Sequence, residues 1–206
     1  MACFNAESDE DILLFIDGDA FPISDVATYA EEKLKQFPLI AVQRSENDGD
    51  PQPHPCFCIT TVGFWKKING DWNIGHEWLN EEGKRVSDVG GNLLGILEKE
   101  QQPWFPMLRS NTFNLHPLWF GIYDSIVYHH GAGFRRPVSR HDIKNSKYPS
   151  LPFYLKKMIK FVFRYDIDEV IRQKIGEKNL ILINKVFNDI QNNENFFFNF
   201  DTNVKR

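Results

Sequence analysis

Asp17 and Asp19 stand one residue apart at the end of the apolar run Asp11–Pro22 and are the first side chains whose type and spacing can do chemistry. In extended chain, residues i and i+2 point to the same side, and Gly18 between them lets the backbone turn and a ligand come close. Two same-side carboxylates repel. A hard divalent cation, Mg²⁺ or Mn²⁺, removes that conflict and keeps positions open for water and phosphate oxygens. The plain alternative is a strand ending in a solvated Asp-Gly-Asp turn. A second group lies at His129, His130, Gly131, Arg135 and Arg136. Imidazole at a strand end is a metal ligand or an acid-base group, glycine admits close backbone approach, and paired guanidiniums suit phosphate oxygens. Asp88, ahead of Gly90 and Gly91, either faces a site or stabilises a helix N-terminus. Trp72 and Trp78 flank polar residues that include Glu77, an arrangement suited to stacking on a sugar. Arg109, Asn111, Asn114 and His116 are polar groups in apolar chain, forming a hydrogen-bonded core junction or a pocket wall. Cys56 and Cys58, with His54 nearby, lack the second Cys pair of zinc sites and read as buried thiols.

Elements must hold these groups in place. Continuous Ile/Leu/Phe over 12–16 predicts a strand covered on both faces in a parallel sheet, with ligands gathering at its C-terminal end. Residues 24–35 predict a helix capped by Ser24 or Asp25, with Ala27, Tyr29, Ala30 and Leu34 inward. A strand at 39–42 leads into 44–55, whose four charged side chains and three prolines predict a mobile or ligand-gated loop. Residues 56–62 alternate as a strand with Cys56 and Cys58 on one face. A helix is expected from Ser87 to 100 with Ser87 or Asp88 as cap, a strand at 125–130, and helices at 153–165 and 180–190. Lys156, Lys157, Lys160 and Arg164 form a basic stripe that either touches anionic lipid or faces solvent. The tail after Gln191 is expected to be only partly ordered.

The chain has 206 residues, 42% of them hydrophobic, a net charge of -4 and a pI near 5.9. That balance provides no global basic field, which argues against a nucleic-acid partner. Three cysteines do not make a disulfide scaffold and favour a reducing compartment. The start carries no basic segment followed by an apolar one, and no run of about 18 apolar residues occurs. The expectation is a soluble, cytoplasmic protein.

In order, an apolar strand ending Asp17-Gly-Asp19, a strand with Gly63-Phe-Trp65, a helix opening near Asp88, and His129 before Gly131 and Arg135 resemble a family. They resemble the C-terminal half, from Asp-x-Asp onward, of nucleotide-sugar glycosyltransferases of the GT-A fold, over about residues 11 to 142. The resemblance implies an α/β fold with a partial GT-A-like mixed sheet flanked by helices over 1–147, and a helical C-terminal extension over 148–206. It implies Mn²⁺ or Mg²⁺ on Asp17 and Asp19, completed by His129 or His130, with Gly131, Arg135 and Arg136 toward the donor diphosphate. Asp88 would be the base of an inverting transfer, Glu77 its competitor, and Trp72, Trp78 and Arg109 would meet a glycan or other hydroxyl acceptor. Only sixteen residues precede Asp17, where the family carries nucleoside-binding βαβ units needing roughly 60 residues. A fragment or remnant is therefore implied, prone to self-association along its first strand. Two rivals stand beside this reading. One is a phosphatase of the haloacid dehalogenase type with Asp17 as nucleophile, against which Phe21 stands where that family has Thr or Val. The other is a non-catalytic remnant.

Overall fold

The computed structural model describes residues 5–113, 116, 118–131, 138, 142–143, 152–164 and 166–204. Its strands are β1 (Ile12–Ile16), β2 (Ala20–Pro22), β3 (Leu39–Gln43), β4 (Pro53–Thr61), β5 (Trp78–Leu79), β6 (Arg85–Val86), β7 (Phe105–Met107), β8 (Trp119–Tyr123) and β9 (Val127–Gly131). The described α-helices are α1 (Val26–Leu34), α2 (Val62–Lys67), α3 (Gly91–Lys99), α4 (Phe153–Phe163) and α5 (Ile167–Asn192). The protein is mixed α/β.

β3 is apolar except at its end and lies inside a four-stranded sheet ordered β1-β4-β3-β7, antiparallel to β4 and parallel to β7. Strand alternation sends Ile40 and Val42 to the face covered by α1, and Leu39 and Ala41 to the face covered by α2 and α3. Asp25 caps α1 by accepting from the amides of Ala27 and Thr28, as its residue type predicts. Val26, Tyr29, Ala30 and Leu34 turn inward, whereas Ala27, expected inside, is exposed. Thr61 caps α2.

β1 departs from expectation. It runs antiparallel to β4, Ile12 opposite Thr61 through Ile16 opposite Phe57, and forms the edge of the sheet. Leu13 is buried and Phe15 packs on Trp65 and Trp72, but Ile12, Leu14 and Ile16 are 52%, 44% and 44% exposed. A continuous apolar run is common to a central strand and to an edge strand with one exposed face, and the α1-side cluster includes no β1 residue among its members. The second surprise is a break in the β3–β4 register, where Ala41 faces Cys58 but Val42 faces His54. The additional β4 residues form a bulge. Cys56 therefore joins the α1-side cluster and Cys58 the α3-side cluster, so the two thiols do not share a face.

A second sheet, β2-β9-β8, is antiparallel throughout. Its β8–β9 hairpin turns through Asp124 and Ser125, both left-handed with φ 51° and 57°, a twist that suits adjoining antiparallel strands. Tyr123 and Val127 complete the α1-side core.

Residues 1–131 and 197–206 make one unit and 132–196 another. The expected boundary between 147 and 148 lies outside the described residues. In the first unit the C-terminal segment is packed, against expectation. Phe200 meets the rings of Phe120 and Tyr128, and its carbonyl accepts from the amides of Thr112 and Phe113. Asp201 is fully buried and accepts from the hydroxyls of Ser110 and Ser125, each at 2.7 Å. In the other unit, Asp166 caps α5, while Lys160 pairs with Asp166 at 2.6 Å and Lys156 with Asp168 at 2.7 Å. Lys157 and Arg164 are exposed. Among the described residues no helix is long and apolar enough to cross a membrane.

Candidate metal centre

The turn 17–20 carries the chain from the edge of the first sheet into the second. The Asp17 amide continues the β1–β4 ladder by donating to the Cys56 carbonyl at 3.0 Å, and the Ala20 amide closes the turn onto the Asp17 carbonyl at 3.1 Å. β2 then pairs with β9, Ala20 opposite His129. His129 is thereby brought beside a carboxylate from which 109 sequence positions separate it. Its Nε2 lies 3.5 Å from Asp19 Oδ1, and one ligand atom from each of Asp17, Asp19 and His129 falls within 4.8 Å of the others. Asp17 is exposed, Asp19 half-buried and His129 buried, so the group has a solvent-facing mouth. No other such group occurs among the described residues. The hydrogen bond from His129 is the main reason the Asp19 carboxyl sits below its usual range, against the opposing effect of burial.

The neighbouring His130 takes no part in this group. Adjacent strand residues point oppositely, and His130 turns to the Tyr128 hydroxyl, 3.0 Å from its Nδ1, and to the edge of Phe120. Gly18 has an ordinary φ, and a methyl added there would meet nothing within 4 Å, so the turn itself does not require glycine. Gly131 does require it, with φ 64° and the Leu118 carbonyl against its open side. Arg135 and Arg136 lie outside the described residues.

One further residue adjoins the centre that sequence reasoning did not assign to it, and a charged pair lies behind it. His54, placed by the β4 bulge, has its ring 5.9 Å from that of His129. Burial first, then the charges of Arg44 and His129, push its pKa down to about 2, so the ring is neutral. Arg44, at the end of β3, holds its Nη2 3.7 Å from Asp50 and 3.6 Å from Asp88. Burial raises the Asp50 pKa, with Asn47 and Arg44 opposing. An arginine directly after an apolar strand was the available signal, but its partners are distant in sequence.

No match is found among family models, curated proteins or solved structures.

The loop 44–55, expected to be mobile or a lid, is instead packed. Asp50 and Gln52 are 6% and 1% exposed. Asn47 donates to Asp50, Gln43 donates to the Pro51 carbonyl, and the Asn47 and Gly49 amides close turns onto Arg44 and Ser45. Several of its polar residues pair within the loop, which composition alone does not reveal.

Asp88 is not a helix cap. α3 starts later than expected, with left-handed Gly90 (φ 88°) at its N-cap position and no side-chain cap. Ser87 instead donates to the His76 carbonyl. Asp88 is half-exposed, its Oδ2 toward Arg44 and its Oδ1 accepting from the Val89 amide. The expectation that something approaches the glycines closely is met by the protein's own backbone, because a methyl on Gly90 would overlap the Pro53 carbonyl oxygen. Glu77 faces Arg85 at 3.6 Å on the surface. Trp72 packs with Phe15 and Trp65, and the Trp78 ring lies over Gly91. Arg109 is mostly buried and donates to Asn111 and to the carbonyls of His116 and Trp119, tying the approach to β8.

Proposed function

We propose that this chain is a metal-dependent glycosyltransferase, or the metal- and acceptor-binding part of one, moving a sugar from a nucleotide-diphosphate donor to an acceptor hydroxyl. The observation that carries the reading is the meeting of Asp17 and Asp19, from the turn between the two sheets, with His129 of β9. Two carboxylates and one imidazole, open on the Asp17 side, fit Mn²⁺, with Mg²⁺ as the oxygen-preferring alternative. When bound, the cation supplies charge neutralisation for a departing diphosphate. Gly131, at the end of the strand that carries His129, is the diphosphate's further contact in this reading.

Asp88 is the proposed base. As the acceptor oxygen attacks the anomeric carbon and the bond to diphosphate breaks, Asp88 takes the hydroxyl proton, and a single displacement inverts the sugar. Its link through Arg44 to the surroundings of His54 favours it over Glu77, whose contact is Arg85. Trp78 is the preferred acceptor-side ring, since Trp72 and Arg109 are engaged within the fold. The partial GT-A reading of the sheet belongs to the same proposal, as does a reducing cytoplasm, where buried Cys56 and Cys58 stay free. Two associations accompany it. One is self-association along β1. The other is contact of α4 with anionic lipid through exposed Tyr154, Met158 and Phe161 beside Lys157, tested by vesicle co-sedimentation.

A thermal-shift and hydrolysis screen of nucleotide sugars with Mn²⁺, run beside an aryl phosphate, tests the function. Nucleotide-sugar turnover that disappears in Asp88→Asn while Mn²⁺ binding persists supports the assignment. Aryl phosphate turnover lost in Asp17→Asn would establish the phosphatase chemistry in its place.

A further inference from the structure

We infer that His54 is a ligand-binding hydrogen-bond donor at the metal centre and not one of its metal ligands. The inference rests on the metal reading above and adds the residue that would recognise what the cation carries. His54 stands close to the group, its ring 5.9 Å from that of His129, but outside the set whose ligand atoms lie within 4.8 Å of one another. Its hydrogen bonding argues the same way. In the β4 bulge the Cys56 amide donates to His54 Nδ1 at 3.1 Å. A nitrogen that accepts carries no proton, so in the neutral ring the proton sits on Nε2. Metal-binding histidines have the reverse arrangement, one nitrogen on the cation and the other donating its N–H to an acceptor. For His54 to coordinate through Nε2, its proton would have to move to Nδ1 and confront the Cys56 N–H, leaving two donors head to head.

The tautomer therefore leaves the Nε2–H on the side of the ring away from the Cys56 amide, in a ring that lies 5.9 Å from that of His129. The backbone on either side of His54 is packed, Pro53 against Gly90 and the Cys56 carbonyl accepting the Asp17 amide. His54 is partly exposed, so a ligand can reach it. The chemical class that fits is an oxygen anion bound on the cation held by Asp17, Asp19 and His129, such as a phosphate or diphosphate oxygen.

Two measurements test this. Long-range ¹H–¹⁵N NMR of the imidazoles, before and after adding Mg²⁺, is expected to show His54 protonated at Nε2 in both states. An Nδ1–H tautomer overturns the inference. Calorimetry with Mn²⁺ alone and then with pyrophosphate is expected to show Mn²⁺ affinity within about twofold of wild type in His54→Ala and His54→Gln. Pyrophosphate affinity should fall about tenfold or more in His54→Ala, the scale of one hydrogen bond to a charged oxygen, and recover in His54→Gln, whose amide donor reaches the Nε2 position. Loss of Mn²⁺ binding equal to that of Asp19→Ala would make His54 a ligand and overturn the inference. Unchanged pyrophosphate affinity in both variants would overturn it with the metal reading still standing. Wild type that takes up no Mn²⁺ overturns both.

Discussion

Replacing Gly90 with alanine perturbs the contact that seats Asp88 against β4. Gly90 has φ 88°, its amide donates to the Trp72 carbonyl, and a methyl group there would overlap the Pro53 carbonyl oxygen. The left-handed backbone costs an L-residue roughly 1–2 kcal/mol. Forcing a methyl against backbone that cannot swing aside adds roughly 1–3 kcal/mol. The sum is about 2–5 kcal/mol, and at about 2–4 °C per kcal/mol for a chain of this size Tm falls by about 10 °C. Gly83 supplies the control, because its φ is 71° and nothing lies within 4 Å of an added methyl. Gly83→Ala therefore carries the backbone strain alone, about 1–2 kcal/mol. Urea and thermal unfolding of both variants, followed by circular dichroism, separate the two contributions. A Gly90→Ala variant no less stable than Gly83→Ala would refute the contact with Pro53, and with it the placement of Asp88 beside the β4 bulge.

Asp201→Ala leaves the Ser110 and Ser125 hydroxyls without their buried acceptor and should cost about 3 kcal/mol or more in urea unfolding, whereas a loss under about 1 kcal/mol would mean the C-terminal segment is not docked. In metal-free protein, the lowered pKa of Asp19 contributes stability that is whole above its ordinary value of 3.8 and is lost as pH falls through the lower folded value. The Tm gap between wild type and Asp19→Asn should accordingly shrink toward acid, and a gap that widens there contradicts the pairing with His129. Antiparallel pairing of β1 between two copies would set Asp9, Glu10 and Asp11 against Asp17 and Asp19 of the other, so self-association should strengthen between about 0.05 and 0.5 M salt as those charges are screened. Sedimentation velocity checks this, with Leu14→Lys expected to abolish association and a monomer at both salt levels refuting it.

The carboxylate pair was legible because i, i+2 spacing at the end of an apolar strand is a local signal. His129 was legible as a candidate ligand from its local group, but its meeting with Asp19 was legible only through the order of motifs, since the β2–β9 pairing that brings them together is not a periodicity. What escaped has physical causes of other kinds. Ile12 to Ile16 read as doubly covered because hydrophobicity reports affinity for cover, not whether cover exists. Cys56 and Cys58 were put on one face because a bulge inverts the alternation without leaving a mark in composition. The loop 44–55 read as mobile because charge and proline count ignore that Asp50 can meet both Asn47 and Arg44. Ser87 and Asp88 are both good caps by type, yet the backbone at Gly90 starts the helix two residues later than Asp88 would. The final segment, rich in Phe and Asn, gave no hint that Asp201 would be gripped by two serines far upstream.

The central claim is that Asp17, Asp19 and His129 together hold one divalent cation. Isothermal calorimetry with Mn²⁺ on wild type, Asp19→Ala and His129→Ala tests it most directly, with circular dichroism confirming that each variant is folded. The expected result is one binding event per chain in wild type, absent in Asp19→Ala and weakened at least about tenfold in His129→Ala, the usual scale for loss of a metal-site partner. Equal heats from all three proteins would contradict the claim.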